Sequence, residues 1–68
     1  ALQEWAQARR LAPPNYRLVN RSGPDHAPAF ELAVDIEGFP PAIGAGSSKR
    51  AAEQAAAAAF MAREGVTE

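Results

Sequence analysis

Three residues within the stretch "SGPDHAP", residues 22–28, are of types that could form a catalytic site. Ser22, Asp25 and His26 supply a hydroxyl, a carboxylate and an imidazole, the groups that serve as nucleophile, orienting acid and general base in many hydrolases. A triad needs the imidazole between the other two groups, and residues this close in one loop seldom reach that geometry. No oxyanion donor is evident beside them. We therefore predict no catalytic residues in this chain.

Metal binding by the same stretch has little support. Asp25 and His26 offer two ligands, but the chain has no cysteine and no second histidine to complete a typical transition-metal set. We predict no metal site and no cofactor for this chain.

A second stretch, "GAGSSK" at residues 44–49, could meet a phosphate through amides at the positive end of a following helix. Its spacing is not that of a Walker loop, and the third glycine of a dinucleotide fingerprint is absent. Lys49 and Arg50 stand in the predicted first helical turn, where cations oppose the helix dipole. This placement favours a bound anion, although a solvated basic turn has the same pattern.

Two helices flank three strands in the predicted order of elements. Residues 1–10 predict an amphipathic helix, which Pro13 and Pro14 end because proline lacks an amide donor and restricts the preceding residue. The side chains at helical spacing in it are Leu2, Trp5, Ala6 and Arg9. Strands are predicted at 15–21, 29–37 and 42–46.

The second predicted strand alternates in polarity, which indicates one buried and one solvated face. Its buried face would carry Phe30, Leu32, Val34 and Ile36. Its solvated face would carry Glu31, Ala33, Asp35 and Glu37.

The alanine-rich run that extends to Glu64 predicts the second helix, since alanine has the highest helix propensity. Ser47 and Ser48 are candidate N-caps, and Gly65 is a candidate stop. Four small residues would let this helix approach the sheet, with Phe60 filling volume near its end: Ala52, Ala55, Ala56 and Ala59. The predicted fold class is α+β, an α-β-β-β-α domain with a three-stranded antiparallel sheet and both helices packed on one face.

The composition is that of one small folded domain. The chain has 68 residues, of which 47% are hydrophobic and 22% are charged, and its net charge is -1. This balance argues against a general electrostatic attraction to nucleic acid, but Arg9 with Arg10 and Lys49 with Arg50 leave local basic patches. No apolar run is long enough to span a bilayer. We expect residues 1–68 to be one domain of a larger protein, with the first helix beginning upstream of residue 1.

Several motifs together resemble the double-stranded RNA-binding domain along nearly the whole chain. They are "LQEWAQ", the P-x-Y entry to the first strand, the G-P-x-H turn, the aromatic start of the second strand, and G-x-G-x-S-K-[KR]-x-A at the last helix. The sequence "AAEQAAA" in that helix is similar to the C-terminal domain of bacterial ribonuclease III.

The resemblance implies roles for ten residues in RNA binding. Gln3 and Gln7, with Glu4 as a weaker neighbour, match positions that bind 2′-hydroxyls and base edges in one minor groove. The turn that presents His26 to the next minor groove consists of Pro24, Asp25, His26 and Ala27. Ser48, Lys49 and Arg50 match the positions that bind phosphates across the intervening major groove.

The resemblance also implies the setting of the domain. The parent would be a Mg²⁺-dependent, double-strand-specific endoribonuclease that processes structured RNA such as ribosomal RNA precursors in the cytoplasm. Its absent catalytic domain would hold the Mg²⁺ and form a homodimer, while this domain would be monomeric, bind double-stranded RNA and not touch a membrane.

One position departs from the commoner family pattern. Many such domains carry a third basic residue four positions after Lys49, where this chain has Glu53. Fewer cations imply modest affinity and a shallow salt dependence. The alternative function left open is a protein-interaction or dimerisation module of the same fold.

Overall fold

The computed structural model describes residues 2–65, which form two helices and a three-stranded antiparallel sheet with strand order β1-β2-β3. The elements are α1 (Leu2–Ala8), β1 (Asn15–Ser22), β2 (Ala29–Asp35), β3 (Ala42–Gly46) and α2 (Lys49–Arg63). The predicted α-β-β-β-α fold class is therefore confirmed.

Helix α1 is amphipathic, but it ends earlier than residue 10. Leu2 and Ala6 are buried, and the helix stops because Arg10 adopts a left-handed backbone conformation with φ of 59°. The amide of Leu11 then donates to the carbonyl of Ala6 at 3.0 Å, and that of Arg10 to the carbonyl of Gln7 at 2.9 Å. These two bonds are the Schellman pattern, which satisfies carbonyls at a helix end.

The central strand β2 is buried more fully than its alternating sequence predicts. Val34, opposite Tyr16 and Ala42, lies on the helix side of the sheet. Ala33 was predicted to be solvated, yet it is fully buried, so that part of the prediction is wrong. The larger cross-strand neighbours Arg17 and Ile43 flank it in register on the other face, and they shield a side chain as small as a methyl group.

Helix α2 begins and ends as the sequence predicts. The hydroxyl oxygen of Ser48 accepts a hydrogen bond from the amide of Ala51 at 3.0 Å, which makes Ser48 the N-cap. Gly65 follows the last turn with φ of 70°. The side chains buried against the sheet lie four residues apart and are Ala52, Ala56 and Phe60. Ala55 is half-buried beside them, but Ala59 is exposed, contrary to the prediction.

Two glycines of β3 let α2 lie directly on the sheet. A Cβ atom at Gly44 would stand 2.0 Å from the backbone nitrogen of Ala56, and one at Gly46 would stand 2.7 Å from that of Ala52. Both distances are far below van der Waals contact, so only glycine fits. The glycine-rich stretch before α2 is therefore explained by packing.

An aromatic cluster closes the end of the core away from the N-terminus of α2. Trp5, Phe39 and Phe60 pack edge to face, with 5.4 Å between each pair of ring centroids. The guanidinium of Arg63 lies over the ring of Phe60 and donates to the carbonyls of the two prolines before β3. Helix α1, the β2–β3 loop and the last turns of α2 are joined here.

Candidate nucleic-acid interface

The exposed side of α1 carries the predicted minor-groove residues. Because Leu2 and Ala6 face the core, Gln3, Glu4 and Gln7 are left exposed. Within residues 2–65 the side-chain amides of Gln3 and Gln7 make no hydrogen bond, so their donors and acceptors are available to a ligand.

The β1–β2 loop is a tight turn that presents His26. Gly23 has φ of 85°, and an added Cβ atom would stand 2.7 Å from the carbonyl oxygen of Ala27, so glycine is required there. The amide of Ala27 donates to the carbonyl of Pro24 at 2.9 Å, which places Asp25 and His26 at the two central positions of the turn. All four residues of the turn are exposed.

The geometry of this loop does not assemble a catalytic triad. The carboxylate of Asp25 points to Arg21, with Oδ1 3.8 Å from Nη2, and makes no hydrogen bond with His26 within the described part of the chain. In residues 2–65 no group of three or more His, Cys, Asp or Glu side chains could hold a metal ion.

The first turn of α2 presents two cations. Lys49 and Arg50 are exposed, and neither has an ion pair or hydrogen bond from its side chain within residues 2–65. Ser48 uses its hydroxyl oxygen for the cap, while its O–H remains a donor. No acidic residue occupies this turn, so the two positive charges and the free helix amides act on a neighbouring anion together.

An open cleft of about 450 Å³ joins the α1 residues to the α2 residues. Gln3 lines it from α1, Arg50 and Glu53 from α2, and Tyr16 from β1, above an apolar floor. Burial, and secondarily the negative charge of Glu53, raise the pKa of Tyr16 above its ordinary value. The phenol therefore stays neutral and can donate a hydrogen bond at physiological pH.

The sheet register brings the His26 turn to the same end of the sheet as the start of α2. Ser22 pairs with Ala29 where the β1–β2 loop begins and ends, and Phe30, the next residue, pairs with Gly46. Two residues after Gly46, Ser48 caps α2. The first turn of α2 therefore lies at the same end of the sheet as the histidine turn, and the cleft joins its Arg50 to Gln3 of α1.

Polar and charged side chains on the sheet face away from the helices are paired with one another. On the sheet face away from the helices, Arg17 donates to Asp35 with 2.7 Å between Nε and Oδ2, and this hydrogen bond raises the pKa of Arg17. Asn20 donates to Glu31 at 3.2 Å on the same face. Attraction for a polyanion is thus concentrated on the helix side.

Sequence reasoning missed part of this surface. Gln54 lines the cleft one helical turn after Arg50, with its side chain exposed. The same four-residue spacing that indicated Gln3 and Gln7 could have found it. The cleft position of Tyr16 had no local signal, because it depends on the register of β1.

An α-β-β-β-α domain that presents these exposed polar groups on α1, in the β1–β2 loop and at the start of α2 belongs to the class of small nucleic-acid-binding domains. The sequence matches the family model described as "Double-stranded RNA binding motif" over residues 1–63. The chain belongs to this family.

Relatives at high identity are bacterial ribonucleases. The chain is 65% identical over 65 residues to "Ribonuclease 3" of Azorhizobium caulinodans, with 96% of this chain and 28% of that protein covered. It is 61% identical over 67 residues to "Ribonuclease 3" of Methylocella silvestris, with 98% and 28% covered. The chain thus spans 28% of the length of these two relatives.

Solved structures share the fold. The first dsRBD of protein HYL1 has a TM-score of 0.74 and 33% identity, with 94% of this chain and 90% of that one covered. DRB4 dsRBD2 has a TM-score of 0.61 and 38% identity, with 93% and 89% covered. Among the helices of residues 2–65, none has the length and apolar character needed to cross a membrane.

Proposed function

We propose that this domain is the double-stranded RNA-binding module of a ribonuclease III. Its membership of the family and its identity to two bacterial ribonucleases support this role. The observation that carries the proposal is that the unpaired cations of α2 share a cleft with Gln3 of α1 and share an end of the sheet with the turn that presents His26.

The order of these groups fits the form of an RNA duplex. Such domains span about 16 base pairs and contact two successive minor grooves and the major-groove phosphates between them. Gln3 and Gln7 enter one minor groove and His26 enters the next. Lys49 and Arg50 bind the phosphates across the major groove between these two minor grooves. The major groove of A-form RNA is deep and narrow, so side chains cannot reach its bases and contact its phosphates instead.

Recognition of the 2′-hydroxyl gives selectivity for RNA. The amides of Gln3 and Gln7 donate to and accept from this group, which DNA lacks. A DNA duplex leaves these polar side chains without a partner, and it also has a different groove shape. Sequence preference is slight, since most contacts go to sugars and phosphates.

The chemistry of cleavage belongs to the rest of the parent protein. We place the Mg²⁺ site and the homodimer interface in that part of the protein, and this domain only binds the RNA substrate. The proposed substrates of the parent are structured RNAs such as ribosomal RNA precursors, and its proposed location is the cytoplasm.

A protein-interaction role receives less support from the surface. The exposed large hydrophobic residues among residues 2–65 are Leu18, Val19 and Ile43, each about half exposed. Leu18 and Ile43 lie on opposite faces of the sheet, because Leu18 pairs with Leu32 on the helix side while Ile43 pairs with Ala33 on the other side.

The central test compares three ligands. We expect the domain to bind an RNA duplex longer than about 16 base pairs more tightly than the same sequence as DNA duplex or single-stranded RNA. Titration by fluorescence anisotropy measures the three affinities. Equal binding to all three, or none, would favour the interaction role instead.

Replacing Lys49 and Arg50 together by alanine tests the phosphate contacts. We expect affinity for duplex RNA to fall about tenfold or more, regardless of RNA sequence. We also expect the slope of the logarithm of the binding constant against the logarithm of the salt concentration, the salt slope, to decrease in magnitude by roughly two. Arg17→Ala is the matched control, because it removes a cation that Asp35 already neutralises on the opposite face. An unchanged affinity in the double variant would show that the cations of α2 do not hold phosphate.

A further inference from the structure

Arg10 occupies a backbone position that disfavours its own side chain. Its φ of 59° lies in the left-handed region, where a Cβ atom crowds the backbone and glycine or asparagine is usual. Arg10 is the only non-glycine residue with positive φ among residues 2–65. A strained residue that persists is a reason to look for a role of its side chain.

Helix α2 has a glycine at the position after the helix that corresponds to Arg10 in α1. Gly65 follows α2 with φ of 70°, and its amide donates to the carbonyl of Ala62 at 3.3 Å. The amide of Arg10 makes the corresponding bond to Gln7 at the end of α1. The two helices thus end in the same way, one with glycine and one with arginine.

The charge of Arg10 is also unused within the domain. Arg17, Arg21 and Arg63 each have a carboxylate partner, and Arg9 lies over the ring of Trp5 at 4.6 Å. Arg10 is exposed, and its side chain makes none of these interactions within residues 2–65.

We infer that Arg10 is a further RNA-binding residue that contacts a phosphate at the edge of the minor groove occupied by α1. The backbone bond of 2.9 Å from Arg10 to Gln7 fixes it one turn beyond a residue that faces that groove. The minor groove of A-form RNA is wide and shallow, and phosphates border it on both sides. A long cationic side chain at this place therefore reaches the backbone of the duplex. This inference rests on the proposed function.

Arg10→Gly separates the two effects of the residue, since it relieves the backbone and removes the charge. We expect a higher melting temperature together with roughly threefold to tenfold weaker binding to duplex RNA at low salt, and a salt slope smaller by about one. Arg10→Asn also tolerates the left-handed conformation without charge and should weaken binding equally. Arg10→Lys keeps the charge and should retain most of the affinity.

Each outcome decides between explanations. A Gly or Asn variant that binds RNA as tightly as the unaltered domain would overturn the inference, whatever its stability. If the stability of such a variant falls, the arginine side chain stabilises the end of α1 instead. Loss of binding in the Lys49 and Arg50 double variant, with none in Arg10→Gly, would overturn the inference and leave the proposed function intact. Failure of the unaltered domain to bind duplex RNA would overturn the proposed function itself.

Discussion

At the scale of single residues, Glu53 acts on a phenol across the cleft. The pKa of Tyr16 is raised first by burial and then by this carboxylate, so the folded domain favours the neutral phenol. An unfolded tyrosine ionises at about pH 10. The associated stability is therefore fully present below about pH 10 and is lost as the pH rises through the higher pKa of the folded state.

Glu53→Gln should lower the pKa of Tyr16 without restoring its ordinary value, because burial is the larger cause. Tyr16 is the only tyrosine in the chain, so ultraviolet absorbance of the phenolate measures it directly. Glu37→Gln, in the exposed β2–β3 loop, is the control. If the pKa of Tyr16 does not change in Glu53→Gln, the charge of Glu53 does not contribute to the raised pKa of Tyr16.

His26 is predicted to reach the second minor groove from the turn between β1 and β2. We expect His26→Ala to weaken binding to duplex RNA, because the variant removes an exposed side chain that can donate or accept a hydrogen bond at the tip of this turn. Fluorescence anisotropy measures the change in affinity. An unchanged affinity in the variant would show that His26 does not contact the RNA.

At the scale of elements, the contact between β3 and α2 sets the position of the first turn of α2, which we propose to bind phosphate. Gly44 and Gly46 come just before Ser48, so the same close packing that buries Ala52 and Ala56 also places the start of α2. The stability of this contact and the geometry of the site are thus linked through a few residues.

Gly44→Ala should destabilise the domain by about 3 kcal/mol, the upper end of the usual overpacking cost, because the new Cβ would meet backbone atoms of α2. Chemical denaturation measures the free energy of unfolding. Ala45→Ser, at the exposed position between the two glycines, should change it by less than about 0.5 kcal/mol. A fully stable Gly44→Ala domain would show that α2 can move away from the sheet at little cost.

Element order and type followed from sequence patterns, whereas several details depended on neighbours distant in the chain. The prolines, the alanine run and the Ser48 cap are local signals, and the structure agrees with them. The burial of Ala33 depends on Arg17 and Ile43, which the register alone places beside it. No local pattern could predict that.

At the scale of the whole molecule, the sequence predicted which residues would bind RNA, and their roles stay predictions until binding is measured. Their exposure on α1, in the loop and on α2 is visible in the fold. What the sequence could not predict was the cleft that connects Gln3 to Arg50, because its walls come from α1, β1 and α2, which only the fold brings together. The left-handed Arg10 was equally hidden, since only the backbone reveals it.

The aromatic cluster gives the domain an intrinsic fluorescent probe. Trp5 is the only tryptophan in the chain, and its indole touches two rings of the core on one side and the guanidinium of Arg9 on another. It belongs to the helix that carries Gln3 and Gln7, so we expect both unfolding and the proposed RNA contact of α1 to alter the surroundings of one fluorophore. Its emission would then report folding and RNA binding in a single unlabelled sample.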